Sequence, residues 1–225
     1  MDNLQTNSQP KVLFFDINET LLNTAAIQSL LSESFGEDVY DLWFSKLLHY
    51  SLVSTVTETY KSFKLIASDA LQVVSQLKKR EIPQNISAKL ADTLSELPAH
   101  PEVAESLKML KEKGYLIVAL SNSSQDLLRK QLDNAHIDHL FDEQISVEAF
   151  QKYKPHTEVY HKAASFLHIP KEECMLIAAH DWDVYGALSA GLRAAFINRK
   201  GQCPYFLPVK PELEETDLLS LAKKL

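Results

Sequence analysis

The chain has 225 residues, which is enough for one large domain or for a core with a subdomain. Hydrophobic residues make up 45% and charged residues 24%, as in ordinary soluble globular proteins. The formal net charge of -7 argues against a nucleic-acid surface, which needs a basic stripe, although a few local cations can still bind a small anion. Since no apolar run approaches about 18 residues, we expect no membrane partner.

The chain begins with MDNLQTNSQP, which has neither a basic start nor an apolar stretch. We therefore expect residues 1–10 to form a disordered polar tail and not a signal peptide. The two cysteines, Cys174 and Cys203, make no disulfide framework, and a reducing cytoplasm is the default location.

The first predicted strand is VLFF, residues 12–15, and the segment after it has a different character. Residues 23–98 contain no convincing strand, but apolar residues recur there at helical spacing, as in LWFSKLLHYSLV and ISAKLADTLSEL. We predict that residues 23–98 form an all-helical subdomain inserted after the first strand.

The remainder of the chain alternates between strands and helices. Unalternated apolar strands of this kind are typical of a parallel sheet covered on both faces, so the pattern predicts a doubly wound α/β core built from residues 11–22 and 99–225. The further strands are predicted at 115–120, 144–147, 174–179 and 194–198, and the helices at 101–113, 124–134, 156–168 and 183–190, with a last amphipathic helix over 213–225.

Polar residues follow four of these strands, where ligands bind in a doubly wound sheet. Asp16 ends the first strand, and a carboxylate held there can act as a nucleophile that forms an ester. An Asp that merely caps the following turn is the alternative. Ser121 and Asn122 follow the second strand, Lys154 follows the third, and AAHDWDVYGALSAG (178–191) includes the end of the fourth.

The order Asp16-x-x-x-Thr20, Ser121-Asn122, Lys154-Pro155 and an acidic loop ending at Asp183 resembles the haloacid dehalogenase superfamily over residues 11–199. The resemblance implies a HAD-like, Rossmannoid core, with the helical insertion as the cap. It also implies an aspartate nucleophile at Asp16.

Two departures separate the chain from the phosphatases of this superfamily. Those enzymes carry a second Asp that protonates the leaving alcohol, but this place is Asn18, and an amide cannot trade that proton. Alignment on Ala190-Gly191 puts Ala179 where the phosphatases have the first magnesium-binding acid. These departures match the superfamily's (S)-2-haloacid dehalogenases, which need neither metal nor cofactor.

The resemblance also assigns roles to individual residues. Thr20, Ser121 and Lys154 orient and charge-balance Asp16, while Asp183 closes the site. The candidates for the substrate and halide side of the site are Asn122, Trp182, Tyr160, Phe44 and Asn18.

The chain departs from the usual dehalogenase pattern in two places. Phe44 stands where an arginine usually grips halide and carboxylate, so Lys46 or backbone N–H groups are left for that role. His180 replaces an asparagine, and Glu19 replaces a glycine. Since imidazole is the natural general base at neutral pH, we predict that Glu19 orients His180 and that His180 activates water. A dehalogenase-like subgroup with an N-E-T first motif looks similar, and the alternative is that both are polar rim residues.

The sequence thus predicts hydrolytic dehalogenation of short (S)-2-haloacids to (R)-2-hydroxy acids through an ester on Asp16. The expected partner is a small anionic substrate, and the resemblance adds a homodimer. The first alternative is an Mg²⁺-dependent phosphatase that uses Asp181 and Asp183. The second is a relative that binds small anions without turnover.

Overall fold

The computed structural model describes residues 9–201 and 209–225. Most of the predicted tail, together with Cys203, lies outside the described residues. None of the helices within the described ranges combines the length and apolar character needed to cross a bilayer.

A parallel sheet forms the centre of the molecule, which confirms the predicted doubly wound α/β class. The strands follow the order β3-β2-β1-β4-β5-β6, so β1 lies between β2 and β4. The residues of β1 and β4 are fully buried, as expected of strands covered on both faces. The six strands within residues 9–201 and 209–225 are β1 (Val12–Phe15), β2 (Leu116–Ser121), β3 (Glu143–Ser146), β4 (Cys174–Ala178), β5 (Arg193–Ile197) and β6 (Leu213–Glu215).

Among the described residues, five α-helices follow the insertion. α5 packs against α9, and α7 packs against α8, which also contacts β4 and β5. These helices are α5 (Val103–Glu112), α6 (Gln125–Asn134), α7 (Thr157–Phe166), α8 (Asp181–Ser189) and α9 (Leu218–Lys224).

Between β1 and α5 the chain forms helices only, namely α1 (Ala25–Phe35), α2 (Val39–Val56), α3 (Phe63–Lys78) and α4 (Ile86–Ser95). The Trp43 side chain is buried between α2 and α3, and its indole N–H donates to the Ala67 carbonyl oxygen at 3.2 Å. The two connections to the sheet lie side by side, because the Asn23 N–H donates to Pro98 O at 2.8 Å and the His100 N–H to Leu21 O at 2.9 Å.

The prediction of one helix over 213–225 was wrong in its first part. Leu213–Glu215 is the edge strand β6, which pairs with β5, and the helix begins only at Leu218. Asp217 separates the two elements, since its carboxylate accepts the Ser220 N–H at 2.7 Å and caps α9. A three-residue edge strand with two glutamates shows too little apolar alternation to be recognised in the sequence.

Candidate active site

The central candidate, Asp16, follows β1 directly and therefore lies at the carboxyl edge of the sheet. Its backbone N–H donates to Ile177 O on β4 at 3.1 Å, so the main chain is still part of the sheet here. The residue is only 6% exposed. A buried carboxylate needs partners, and these come from three other segments.

Both oxygens of Asp16 accept hydrogen bonds. Oδ1 accepts from the Lys154 ammonium at 2.8 Å, and Oδ2 accepts from the Thr20 hydroxyl at 2.7 Å. The Thr20 hydroxyl in turn accepts the Ala179 N–H at 2.9 Å, which fixes its rotamer. Burial alone would raise the pKa of Asp16, but Lys154 and His180 outweigh it and hold that pKa well below its usual value. Asp16 is therefore an oriented anion at neutral pH.

Lys154 is fully buried between two carboxylates. Its ammonium donates to Asp16 Oδ1, to Asp183 Oδ2 at 2.7 Å and to the Leu120 carbonyl oxygen at 2.8 Å. Burial disfavours the charged lysine, but the two carboxylates more than compensate and raise its pKa. The side chain therefore carries a permanent charge at the sheet edge.

Asp183 and Tyr160 close the cluster on the far side of Lys154. The Tyr160 hydroxyl donates to Asp183 Oδ1 at 2.5 Å, and burial raises the pKa of both groups, while Lys154 opposes the rise at Asp183. Helix α8 can pack this closely against Tyr160 and Pro155 because residue 186 is a glycine. A Cβ at Gly186 would lie 2.5 Å from Pro155 Cβ and would also meet the Tyr160 hydroxyl. A glycine inside a helix often indicates such a close contact, but the sequence analysis did not use Gly186 to predict it.

Ser121 and Asn122 hold the backbone around this cluster. The Ser121 hydroxyl accepts the Ser123 N–H at 3.1 Å, and the Asn122 amide oxygen accepts the Lys154 N–H at 2.9 Å. The Asn122 NH₂ group donates to Lys154 O at 3.5 Å. The N-cap of α6 is Ser124, whose hydroxyl accepts the Leu127 N–H. Asn122 therefore positions the main chain of Lys154.

Asn18 is bound from both ends of its amide. Its oxygen accepts from the Gln131 side chain at 2.8 Å, and its NH₂ group donates to the Ser123 hydroxyl at 3.3 Å. Gln131 also donates to Leu94 O at 2.9 Å, so Asn18 is linked through α6 to the last helix of the insertion.

His180 lies between the two carboxylates of the first motif. Its Nδ1 is 3.1 Å from Asp16 Oδ2, and its Nε2 is 2.8 Å from Glu19 Oε2. Burial opposes the charged imidazolium, but the hydrogen bonds to Asp16 and Glu19 outweigh it and raise the pKa of His180 to about 9. The ring is thus protonated at neutral pH and donates to both carboxylates.

Glu19 has a backbone φ of 61°, in the left-handed region that favours glycine. Its Oε1 accepts from Lys200 at 2.6 Å, from Tyr40 at 3.0 Å and from Thr24 at 3.4 Å. Burial raises the pKa of Glu19, but the bonds from His180 and Lys200 prevail and lower it to about 2. A strained non-glycine residue with this many partners is typical of a functional position.

The sequence did not indicate Tyr40, Thr24 or Lys200. Lys200 comes three residues after β5, so the strand-end reasoning used for Asp16 and Lys154 would have found it. Tyr40 lies on α2 of the insertion, and no local pattern distinguishes it from a core aromatic residue.

Two aromatic rings stack on His180. The ring centroid of Phe44 lies 5.4 Å from that of His180 and the centroid of Trp182 lies 5.0 Å from it, with interplanar angles of 21° and 25°. Tyr40 stacks on Phe44 at 6.0 Å. The negative faces of the rings favour a cationic imidazolium beside them. Phe44 is therefore brought to the site and contacts His180.

The donor set does not suit a divalent cation. All four carboxylate oxygens of Asp16 and Asp183 accept hydrogen bonds from protein groups, and the Lys154 ammonium lies between them. A divalent cation among these oxygens would lie close to the like charge of this buried ammonium. Asp181, the third acid considered, accepts the Trp182 N–H at 2.7 Å. Within residues 9–201 and 209–225, no group of three or more His, Cys, Asp or Glu side chains is arranged to hold a metal ion.

Comparisons with known proteins identify the family. The chain is 28% identical over 204 residues to (S)-2-haloacid dehalogenase 4A of Burkholderia cepacia, with 88% of each chain covered. It is 30% identical to (S)-2-haloacid dehalogenase 1 of Pseudomonas sp. (strain CBS-3), over 88% of this chain and 90% of that protein. The crystal structure of an L-2-haloacid dehalogenase superposes with a TM-score of 0.92 at 26% identity, covering 96% and 99% of the chains. Residues 10–191 match the haloacid dehalogenase-like hydrolases, and the chain belongs to this family.

Proposed function

We propose that the protein is a hydrolytic (S)-2-haloacid dehalogenase with Asp16 as its nucleophile. The observation that carries the proposal is the environment of Asp16, a buried anion at the sheet edge that faces Lys154 on one oxygen and His180 on the other. The similarity to (S)-2-haloacid dehalogenases over most of the chain supports this reaction class.

In the first step, an Asp16 carboxylate oxygen attacks C2 of the haloacid from the side opposite the halogen. The carbon–halogen bond breaks as the carbon–oxygen bond forms, and the halide leaves with the bonding electron pair. Halide is a stable anion and needs no proton, so an amide at Asn18 does not impede its departure. Lys154 keeps Asp16 ionised and oriented for the attack.

Ester formation changes the charge that His180 faces. Before the reaction, two carboxylates keep the imidazolium protonated, with a pKa of about 9. The ester is neutral, so one of these two anions is lost and the pKa of His180 falls. The ring then releases its Nδ1 proton to solvent and becomes a base at neutral pH. The first step thereby activates the catalyst of the second.

In the second step, His180 Nδ1 takes a proton from a water molecule that attacks the carboxyl carbon of Asp16. The C–O bond between Asp16 and the substrate breaks at the carboxyl side, and the proton passes to the leaving alkoxide. Glu19 holds the other imidazole nitrogen and stabilises the transient imidazolium. The product is the (R)-2-hydroxy acid, because only the first step inverts C2.

We propose that helices α1–α4, within residues 23–98, act as the cap that covers the substrate. Phe44 of α2 contacts His180 of the core, so this unit reaches the reacting groups. Phe44, Trp182, Asn122 and Asn18 form the proposed substrate and halide wall. Each amide NH₂ has two hydrogens, so one donor remains for a halide after the protein hydrogen bonds described above.

The proposal is tested with a halide-release assay on chloro-, bromo- and iodoacetate and on both enantiomers of 2-chloropropionate. We expect release from the haloacetates and from the (S)-enantiomer, unchanged by a metal chelator. An aryl phosphate is the comparison substrate. Chelator-sensitive phosphate release without halide release would identify a phosphatase, and ligand-induced stabilisation without any product would identify a binding protein.

The ester is tested separately by repeated turnover in ¹⁸O-labelled water, followed by mass spectrometry of the peptide that contains Asp16. We expect the label in the Asp16 carboxylate, since water attacks the carboxyl carbon. Labelled product from an unlabelled Asp16 would mean that water attacks C2 directly.

A further inference from the structure

We infer that Tyr40 and Lys200 are positioning residues that hold Glu19 for His180 and limit how strongly Glu19 retains the imidazole proton. The inference rests on the proposed function, because it concerns the base of the second step. It follows from the way the two oxygens of one carboxylate are divided between different partners.

Glu19 Oε2 faces His180, whereas Oε1 accepts from three donors. Lys200 donates at 2.6 Å, Tyr40 at 3.0 Å and Thr24 at 3.4 Å, and the Tyr40 hydroxyl oxygen lies 3.2 Å from the Thr24 hydroxyl oxygen. The carboxylate cannot rotate without breaking these bonds. The arrangement therefore fixes the lone pair that His180 Nε2 meets.

The donors also reduce the negative charge that Glu19 presents to the ring. A carboxylate that is shared with an ammonium and a hydroxyl is a weaker proton acceptor than one that binds imidazolium alone. Lys200 is in addition a like charge for the imidazolium. Both effects lower the proton affinity of His180, and this helps the ring to become neutral once the ester has formed.

The other charged groups around this pair do not reverse that direction. Asp16, directly after β1, faces His180, and the positive charge of Lys154, in the segment after β3, balances the negative charge of Asp16. His100, in the connection after α4, lies near Glu19, with a pKa lowered by burial and by Arg199. The acids Glu37, Asp38 and Asp41 line the surface depression that also contains Lys200.

The two positioning residues, Tyr40 and Lys200, come from different parts of the fold. Tyr40 is buried on α2 of the helical insertion, whereas Lys200 follows β5 and its side chain is 41% exposed. The Lys200 ammonium lies 5.9 Å from the centre of the Tyr40 ring, so the two side chains also contact each other. The bond from Tyr40 to Glu19 thus forms only when the insertion lies against the core, whereas the bond from Lys200 comes from the core itself.

A plain surface salt bridge is the competing interpretation of the Lys200 contact. Exposed pairs of that kind contribute little to stability, and their solvent-screened charge would shift the titration of a neighbouring histidine only slightly. The pKa of His180 therefore separates a positioning role from a structural one.

The experiment is an NMR titration of the ¹⁵N-labelled histidines in the free protein, with His180→Asn used to assign the signal. We expect Lys200→Met to raise the pKa of His180 by roughly half a unit or more and Tyr40→Phe to raise it by less. Lys200→Arg should restore the parental value. The acid limb of the single-turnover rate of ester hydrolysis should shift to higher pH in the same order.

The controls are Lys111→Met, which removes an ion pair to Asp142 at 2.9 Å, and Tyr115→Phe, which removes a hydroxyl bound to Leu225 O at 2.8 Å. Neither should change the His180 titration. Folded Lys200→Met and Tyr40→Phe proteins with the parental titration would overturn the inference. A wild-type protein that releases no halide would instead overturn the proposed function. The titration would still show whether Tyr40 and Lys200 position Glu19 for His180.

Discussion

Asp16 and Glu19 lie three residues apart and both bind His180, yet their surroundings differ. Asp16 belongs to a cluster in which Lys154 and Asp183 have no exposed side-chain surface. Glu19 lies where the helical insertion meets the core, and its cations are His180 and Lys200, whose side chains are 11% and 41% exposed. One carboxylate is enclosed within the core, and the other bridges two parts of the fold.

This difference in surroundings indicates that the two carboxylates have different roles. The Lys154 ammonium keeps its proton at any ordinary pH, so the Asp16 side supplies fixed charge and orientation. The His180 proton titrates near pH 9 and depends on the charge of Asp16, so the Glu19 side can move a proton during the reaction. Variants on the two sides should therefore fail in different ways.

The largest effect is expected on the fixed side, from Asp16→Asn. An amide is a poor nucleophile, so halide release should fall by roughly 10⁴-fold or more. The measurement is steady-state halide release from iodoacetate. Asp142→Asn, a change at the opposite end of the sheet, is the control. Substantial activity in Asp16→Asn would mean that Asp16 is not the nucleophile.

His180→Asn should instead spare the first step. We expect a burst of about one halide per site and then a turnover slower by roughly 10²–10⁴-fold, because the general base is missing. Rapid-quench mass spectrometry should find the ester on Asp16. His139→Asn, at an exposed position, is the control. Parental turnover in His180→Asn would show that another group activates the water.

The two lysines should differ in their effect on stability. Lys154→Met removes the ammonium shared by two buried carboxylates and should lower the free energy of unfolding by roughly 3–5 kcal/mol. Lys200→Met removes a partly exposed partner and should cost less than about 1 kcal/mol. Urea unfolding at pH 7 measures both. Equal losses would mean that the two carboxylate sites are energetically alike.

The pH dependence of stability tests the movable proton. His180 has a folded-state pKa of about 9 against an ordinary value of 6.5, so its stabilising contribution is complete below pH 6.5 and is lost as pH rises through 9. The difference corresponds to roughly 3 kcal/mol, at about 1.4 kcal/mol per pKa unit. Urea unfolding at pH 6.5 and pH 9.5 should give this loss in the wild type. It should be absent in His180→Asn, and a loss that persists there would come from another group.

The sequence predicted the Asp16 side better than the Glu19 side, for a physical reason. Parallel strands bring their carboxyl ends to one edge, so Asp16, Lys154 and Asp183 could be grouped from their positions after apolar strands. Recognition of strands from apolar runs missed β6, because its three residues lie at the sheet edge and include two glutamates.

The Glu19 side depends on contacts that no strand pattern encodes. The sequence pairs Glu19 with His180 because both differ from the glycine and the asparagine that are usual at these places in the dehalogenases that the chain resembles. Tyr40 and Lys200 are separated by 160 positions and meet because the fold brings Tyr40 of α2 next to Lys200, three residues after β5. The stack of Phe44 on His180 depends on the same packing.

The smallest predicted effect concerns Phe44, where the resembling dehalogenases carry an arginine. Phe44→Arg should place a second cation beside the imidazolium and lower the pKa of His180 by about one unit, in favour of the neutral ring. Phe44→Leu adds no charge and should shift the pKa by much less, although it loses a stacked pair worth about 0.5–1.5 kcal/mol. The histidine titration by NMR measures both shifts. Equal shifts in the two variants would mean that packing, not charge, sets the proton affinity of His180, and the aromatic residue at position 44 would then need another explanation.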